Sequence, residues 1–264
     1  MKPCAKNLVL DLLVAKSGAP LHVREAITAC NLFGISANNV RVTLARLTTE
    51  ALLEGAGRGS YQLGSQAIEL STQLFEWRNL DQQLRPWSGG YLMVACNALG
   101  RSDRRVLRQR ERALHMLGFA ELEKDLYVRP NNLEPGVEIL QRRLIELGME
   151  PAALVFQAMG FDDEQTRRIQ GLWDGMALND SYRRHCETLN NWSSHAKQLG
   201  LDQAARESFH LGREAIRQVV FDPLLPPPLV DVALRDEFFA CVRHFVDRGH
   251  RIWRAFLQQA PTLN

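Results

Sequence analysis

HVREAITACNLFGISANNVRVTLARLTTEALLEGAGRGSYQL, residues 22–63, decides the fold. The second helix of the motif is expected over Val23–Leu32, closed by Gly34, because a glycine just past a helix end takes the left-handed conformation cheaply. Ser36 or Asn38 then caps the next helix, which runs to about Leu53. Val40, Leu44, Leu47 and Ala51 fall at i, i+4, i+7 and i+11, an apolar stripe that faces a core. The opposite face carries Asn38, Val42, Ala45, Arg46 and Thr49, with Asn39 and Arg41 on its flanks. Small and amide side chains beside two arginines suit a helix that enters the major groove of duplex DNA, where Arg forks onto guanine and Asn pairs with adenine. Leu52–Gly55 and Ser60–Leu63 then read as two short strands around a glycine-rich turn, with Arg58 at its tip. Helix, turn, helix and basic-tipped hairpin in this order are the sequence of a winged helix-turn-helix. The DNA-binding candidates are therefore Asn38, Asn39, Arg41, Val42, Arg46, Thr49 and Arg58.

Outward from this stretch, Leu8–Ala15 completes the amino-terminal module as its first helix. Asp11 interrupts the apolar run, so a signal peptide is not expected. The module is assigned to residues 1–66. Its first 64 residues hold seven Lys or Arg against four Asp or Glu, an excess of +3, whereas the 264-residue chain carries only +2. The positive charge is modest but lies where a phosphate backbone would need it. A linking helix is expected over 67–86, with Ile68, Leu70, Leu74, Phe75 and Trp77 on its apolar side and Arg85-Pro86 as its stop.

Residues 87–161 read as a β-α-β-β-α-β unit, the ferredoxin-like pattern. Its strands are expected at Tyr91–Cys96, Phe119–Leu122, Leu126–Arg129 and Ala153–Phe156. Its helices are expected from Asp103 to Leu117, capped by Ser102, and from Pro135 to Leu147. The first of these helices is strongly basic, with Arg101, Arg104, Arg105, Arg108, Arg110 and Arg112 in or beside it. The arginines read as spread around the helix, which suits a solvated surface better than one phosphate-binding or auxiliary DNA-binding face. Residues 162–264 read as a helical domain for dimerisation or ligand sensing. It is interrupted by Phe221–Leu229, whose prolines forbid helix and force an extended segment packed against the protein. The fold class is thus α+β, mostly helical.

Several functions are disfavoured. Cys4, Cys30, Cys96, Cys186 and Cys241 are isolated and odd in number, so neither disulfides nor structural zinc are expected. No apolar run approaches the length of a membrane span. There is no Gly-x-Ser-x-Gly, no phosphate-cradling glycine loop and no useful pair of metal carboxylates, so no catalytic residue, metal or cofactor is assigned.

Three features resemble the PaaX family, repressors of phenylacetic acid degradation and related catabolic operons. The first is Asn39–Leu47 with the Gly-Arg-Gly hairpin and Tyr61-Gln62-Leu63. The second is the entry at Trp87 into a ferredoxin-like middle. The third is Phe221-Asp222-Pro223-Leu224-Leu225-Pro226 after a helix near the carboxyl terminus. The resemblance covers nearly the whole chain. It implies a homodimeric, cytoplasmic, bacterial repressor that binds a palindromic operator and is released by an aryl- or acyl-CoA thioester. For the effector that the resemblance implies, Trp173, Tyr182, Arg183, Arg184 and Trp192 are the candidates, since arginines suit phosphates and an apolar pocket suits the acyl group. Two alternatives stay open: a DNA-binding dimeric scaffold without ligand, and a metal-dependent nuclease. The second follows from a likeness of the middle unit to small CRISPR-associated nucleases. It is weakened because Val94-Ala95-Cys96-Asn97 lacks their carboxylate at the end of the first strand and Asp103 comes only after the turn.

Overall fold

The computed structural model describes residues 3–16, 18–65, 76–134 and 136–259. The chain is α+β and mostly helical, with a three-stranded and a four-stranded antiparallel sheet among the described residues. It divides into two compact units. One comprises Met1–Trp77, Leu189–Glu214 and Arg243–Asn264; the other comprises Arg78–Thr188 and Ala215–Val242. These units do not follow the boundaries at 66, 86 and 161 suggested by changes in sequence pattern. Of the linking helix expected over 67–86, residues 67–75 lie outside the described residues, and the remainder is not a regular α-helix. Its described end, Glu76–Gln83, forms tight 3-10 turns on either side of a kink at Asn79.

In the first unit, α1 (Ala5–Ala15) buries Leu8, Val9, Leu12 and Leu13. Helix α2 (Val23–Asn31) starts at a reciprocal cap. The His22 ring accepts from the Arg24 N–H at 3.2 Å, and the Glu25 carboxylate accepts from the His22 N–H at 2.7 Å. Two otherwise orphaned donors are satisfied at once. Lys16 closes on the same carboxylate at 2.7 Å. Gly34, at φ +72°, ends the helix as expected, and the Ile35 N–H turns back to the Cys30 carbonyl at 3.1 Å. Ser36 rather than Asn38 caps α3 (Ala37–Thr49), accepting from the Asn39 N–H at 3.3 Å. The α3 stripe is Val40, Thr43, Leu44 and Leu47. Ala51 does not belong to it: the helix ends at Thr49, and Ala51 is exposed at φ +53°. Thr43 is tolerated inside because its hydroxyl donates to Asn39 Oδ1 at 3.3 Å. Strands β1 (Leu21–His22), β2 (Leu53–Gly55) and β3 (Ser60–Leu63) form a sheet in the order β1-β3-β2.

The core beneath these elements is completed by distant residues. Ala205, Trp253 and Phe256 are buried in the same cluster as Leu8, Leu44 and Leu47. Phe33, in the turn between α2 and α3, lies 5.2 Å from Phe209 and 6.4 Å from Trp253 between ring centres, nearly parallel to the latter. Burial of side chains this size stabilises by about 1.5–3 kcal/mol each.

One acid lies at the edge of this core. Asp11 Oδ2 is buried and makes no hydrogen bond among the described residues, although Arg213 Nη1 stands 3.4 Å away. Burial pushes its carboxyl up to about 6, against the opposing pull of Arg213. Because the unfolded value is near 4, charging Asp11 costs stability above about pH 6, and the cost vanishes as pH falls through 6 toward about 4. The melting temperature of Asp11→Asn minus that of the parent is therefore expected to rise by a few degrees between about pH 4 and about pH 8. A difference independent of pH in thermal melts would contradict the assignment.

The second unit is built on β4 (Tyr91–Ala95), β5 (Ala120–Glu123), β6 (Leu126–Pro130) and β7 (Leu154–Ala158), paired antiparallel in the order β5-β6-β4-β7. Leu92 and Val94 face the helices Arg104–Met116 and Gly136–Glu146, where they meet Ala113, Leu114, Leu140 and Leu144. Tyr91, Met93 and Val128 face the other way, onto Ile169, Leu172 and Trp173. This alternation within one strand is the period-2 pattern of a sheet buried on both faces. Asp103, not Ser102, caps the basic helix, its carboxylate accepting from the N–H groups of Arg105 at 2.8 Å and Val106 at 3.3 Å. Pro135 lies outside the described residues, and the helix it was expected to begin is described from Gly136.

Phe221–Leu229 is non-helical, and its middle is buried: Leu224 and Leu225 are among the core residues. Tyr182 donates to Asp222 Oδ2 at 2.6 Å, and Asp222 Oδ1 accepts from the Leu224 N–H at 2.8 Å. Arg235 donates to the Leu225 carbonyl at 2.9 Å, and Asn132 Nδ2 to the Leu224 carbonyl at 2.7 Å. Burial pushes the Asp222 carboxyl up, while Tyr182, the Leu224 N–H and Arg235 hold it down. The segment is thus seated by a satisfied polar network, the condition for burying such groups without penalty. Arg129, fully buried next to it, donates to the carbonyls of Leu117 and Pro130 and to Asn132 Oδ1. With no carboxylate among these partners, burial lowers its pKa to about 9.

Candidate nucleic-acid interface

The outer face of α3 carries the residues singled out from sequence. Asn38, Asn39, Arg41, Val42, Arg46 and Thr49 are all exposed, while Val40, Thr43, Leu44 and Leu47 are buried behind them. The period of 3.6 produces this division: Arg41, Val42 and Arg46 lie between members of the buried stripe, and Asn38, Asn39 and Thr49 flank it. Val42 is 61% exposed, a large apolar group turned to solvent. Such a group suits contact with a thymine methyl.

Not every candidate is equally available. Thr49 spends its hydroxyl on the Ala45 carbonyl at 3.1 Å. Asn39 accepts from Thr43, which leaves its amide N–H groups to donate. Arg46 stands 3.5 Å from Glu50, an acid that Lys6 also approaches at 3.2 Å. The pair is exposed, so its worth is small and a phosphate or base edge competes easily. Arg41 has no ion-pair partner among the described residues and is the least encumbered cation of the face.

The hairpin between β2 and β3 is fixed at its root and open at its tip. Leu53, Glu54 and Gly55 pair with Leu63, Gln62 and Tyr61. Gly57 at φ +106° and Gly59 at φ +69° make the turn that holds Arg58 outward and exposed. The Gly59 carbonyl accepts from the Val23 N–H at 2.8 Å, tying the tip to the start of α2.

The effector candidates are distributed differently. Tyr182 is buried with its hydroxyl committed to Asp222, which raises its pKa above the usual tyrosine range. Arg183 and Arg184 are exposed, and Arg183 pairs with Asp180 at 2.9 Å. Trp173 packs with the Tyr91 cluster. Trp192 belongs to the other compact unit, where its indole N–H donates to Glu207 at 2.7 Å and its ring meets Phe245 at 5.2 Å. Tyr182 and Trp192 thus already have structural partners. The groups near the end of β4 are likewise engaged: Asp125 holds Arg101, and Glu150 holds the buried Arg110. Asp103 serves as a helix cap, and burial pushes the Cys96 thiol up to about 11. No group of three or more His, Cys, Asp or Glu among the described residues is arranged to hold a metal ion. No helix there is long and apolar enough to cross a membrane.

Phe33, Phe209 and Trp253 were not apparent as a group from sequence, because their shared packing joins residues more than 170 positions apart.

Comparison with known proteins adds two findings. The chain is PaaX-like in its carboxyl-terminal region: residues 173–255 match the family described as the PaaX-like protein C-terminal domain. The uncharacterized protein Rv0674 from Mycobacterium tuberculosis has a similar structure. It shows a TM-score of 0.67 and 20% sequence identity, over 96% of this chain and 98% of that one. At this identity the likeness speaks for the fold. No curated protein matches the sequence.

Proposed function

With a PaaX-like carboxyl-terminal domain as premise, we propose that the chain is a DNA-binding transcriptional regulator, a repressor of an aromatic or carboxylic acid catabolic operon such as phenylacetic acid degradation. The observation that carries this is the outer face of α3, where two arginines, two asparagines and Val42 stand exposed over a buried inner stripe that is apolar except for Thr43. In this reading α2, its turn and α3 are the helix-turn-helix, and the β2–β3 hairpin is the wing. Arg41, Arg46, Asn38 and Asn39 read base edges, Val42 meets a methyl group, and Thr49 supports the face. Arg58 touches a phosphate, which positions the protein without specifying sequence. The β4–β7 unit is read as ferredoxin-like, supported by its β-α-β-β-α-β order and by β4 at the centre of the sheet.

The regulator acts as a cytoplasmic homodimer, so that two α3 helices meet the half-sites of a palindrome one helical turn or a multiple apart. An aryl- or acyl-CoA thioester releases it. That effector must bind the DNA-competent and DNA-incompetent states unequally, since equal affinity shifts nothing. Arg183 and Arg184 are the exposed groups suited to its phosphates, with Trp173 available to its apolar part. Tyr182 and Trp192 take part only if their present partners are exchanged.

The test is binding of the purified chain to duplex from its own upstream region against random duplex, with and without phenylacetyl-CoA and other thioesters. A preference for the upstream duplex, reduced by one thioester, is expected. The same thioester should raise the melting temperature of the free protein. Equal affinity for both duplexes under all conditions would overturn the proposal, and preference without any thioester effect would leave a ligand-independent DNA-binding scaffold.

A further inference from the structure

The basic helix Arg104–Met116 resolves into two kinds of arginine. Arg110 points inward, 1% exposed, and is spent on Glu150 and on the Gly100 carbonyl at 2.9 Å. Arg101, just before the helix, is spent on Asp125. Arg104, Arg105, Arg108 and Arg112 remain, all exposed and with no ion pair among the described residues. At 100° per residue these four lie within about 100° of arc, and Arg104, Arg108 and Arg112 form one row that slants by about 40° per step around the helix. The acids nearest in sequence do not neutralise them. Asp103 is the helix cap, bonded to backbone N–H groups, and Glu111, the one acid of the helix, stands at the border of the face with no ion pair among the described residues. The apparent scatter of arginines around the helix came from counting Arg101 and Arg110 among the free ones.

We infer that this face is a second nucleic-acid contact, which takes the phosphate backbone of duplex DNA. The row spans about 12 Å from Arg104 to Arg112, equivalent to roughly three or four phosphates along one strand. Its groups are convex and solvated, which suits an extended polyanion and does not suit a small phosphorylated ligand, for which a concave site is the rule. Guanidinium is the side chain that forks onto phosphate oxygens. The face offers no apolar or amide group to read a base, so it supplies affinity without sequence preference. The inference rests on the DNA-binding proposal above, and the experiment separates the two.

The variant is Arg104→Gln/Arg108→Gln/Arg112→Gln, in which glutamine preserves helix propensity at exposed positions. Anisotropy with a mixed-sequence duplex and with the upstream duplex is followed over a salt series, alongside the parent. The slope of log K against log salt is expected to become shallower by up to about 2.7, that is 0.9 for each lost phosphate contact. Affinity for both duplexes should fall at least about tenfold at low salt, with their ratio unchanged, because a contact that reads no base weakens both alike. A parent that binds duplex while the variant keeps its slope and affinity would overturn this inference alone. Loss by the variant of binding to single-stranded RNA or to anionic vesicles, with duplex binding intact, would also overturn it in favour of that partner. A parent that binds no duplex at all would overturn both proposals.

Discussion

Gly118→Ala is expected to lower the melting temperature by about 10 °C, because two separate costs of about 1–3 kcal/mol coincide there. Gly118 ends the basic helix at φ +72°, a conformation that side chains rarely adopt. An added Cβ would also stand 2.5 Å from the Pro223 carbonyl oxygen and 2.8 Å from its Cα. Both obstacles are backbone, so neither yields by a rotamer change. Gly148→Ala is the control. It too ends a helix with a positive φ, +102°, but its Cβ would meet only the Gln109 side chain at 3.5 Å. That variant should lose only the conformational part, about 1–2 kcal/mol. Equal losses from the two substitutions would show that the proline-rich segment is not held against Gly118.

Combining Arg41→Ala with Arg46→Ala is expected to reduce affinity for the upstream duplex by on the order of 100-fold or more. Each bidentate base contact contributes about 1–3 kcal/mol of discrimination. Affinity for random duplex should fall much less, so the preference between the two collapses. Folding is not at risk, since both residues are exposed and the α3 stripe lies behind them. Arg41 should matter only slightly more than Arg46, because the Glu50 pair that Arg46 must leave is exposed and weak. A double variant that retains the preference would remove α3 from the reading role. The arginine-row variant should behave in the opposite way, losing affinity while keeping preference.

Local structure was largely legible from the chain because it is decided locally. The capping residues, Gly34, the glycines of the hairpin and the i, i+4, i+7 stripe each act within a few positions. The errors have the same origin. Ser102 and Asp103 are adjacent and both able to cap, so only the observed hydrogen bonds choose Asp103. Ala51 continues the periodicity on paper, but the chain has already turned, and Thr43 fills the inner face with its hydroxyl satisfied. The even spread of arginines around the basic helix was only apparent, because Glu150 and Asp125, acids outside the helix, withdraw Arg110 and Arg101 and leave the other four exposed on one side. Tyr182 looked free for a ligand because Asp222, 40 positions away, is not its neighbour in sequence. Periodicity reports which face of an element is buried and is silent about what covers it.

The placement of Phe33 against Phe209 and Trp253 bears on how such proteins can be cut and recombined. The amino-terminal module is not a detachable cassette: the helices that complete its hydrophobic interior come from the far end of the polypeptide. Excised at residue 66, it would leave Phe33 and the wall around Leu8 and Leu44 facing water. A chimera made to transplant it would have to carry Leu201–Val220 and Val232–Gln259 with the amino-terminal helices, or alter only the solvent-facing side chains of α3.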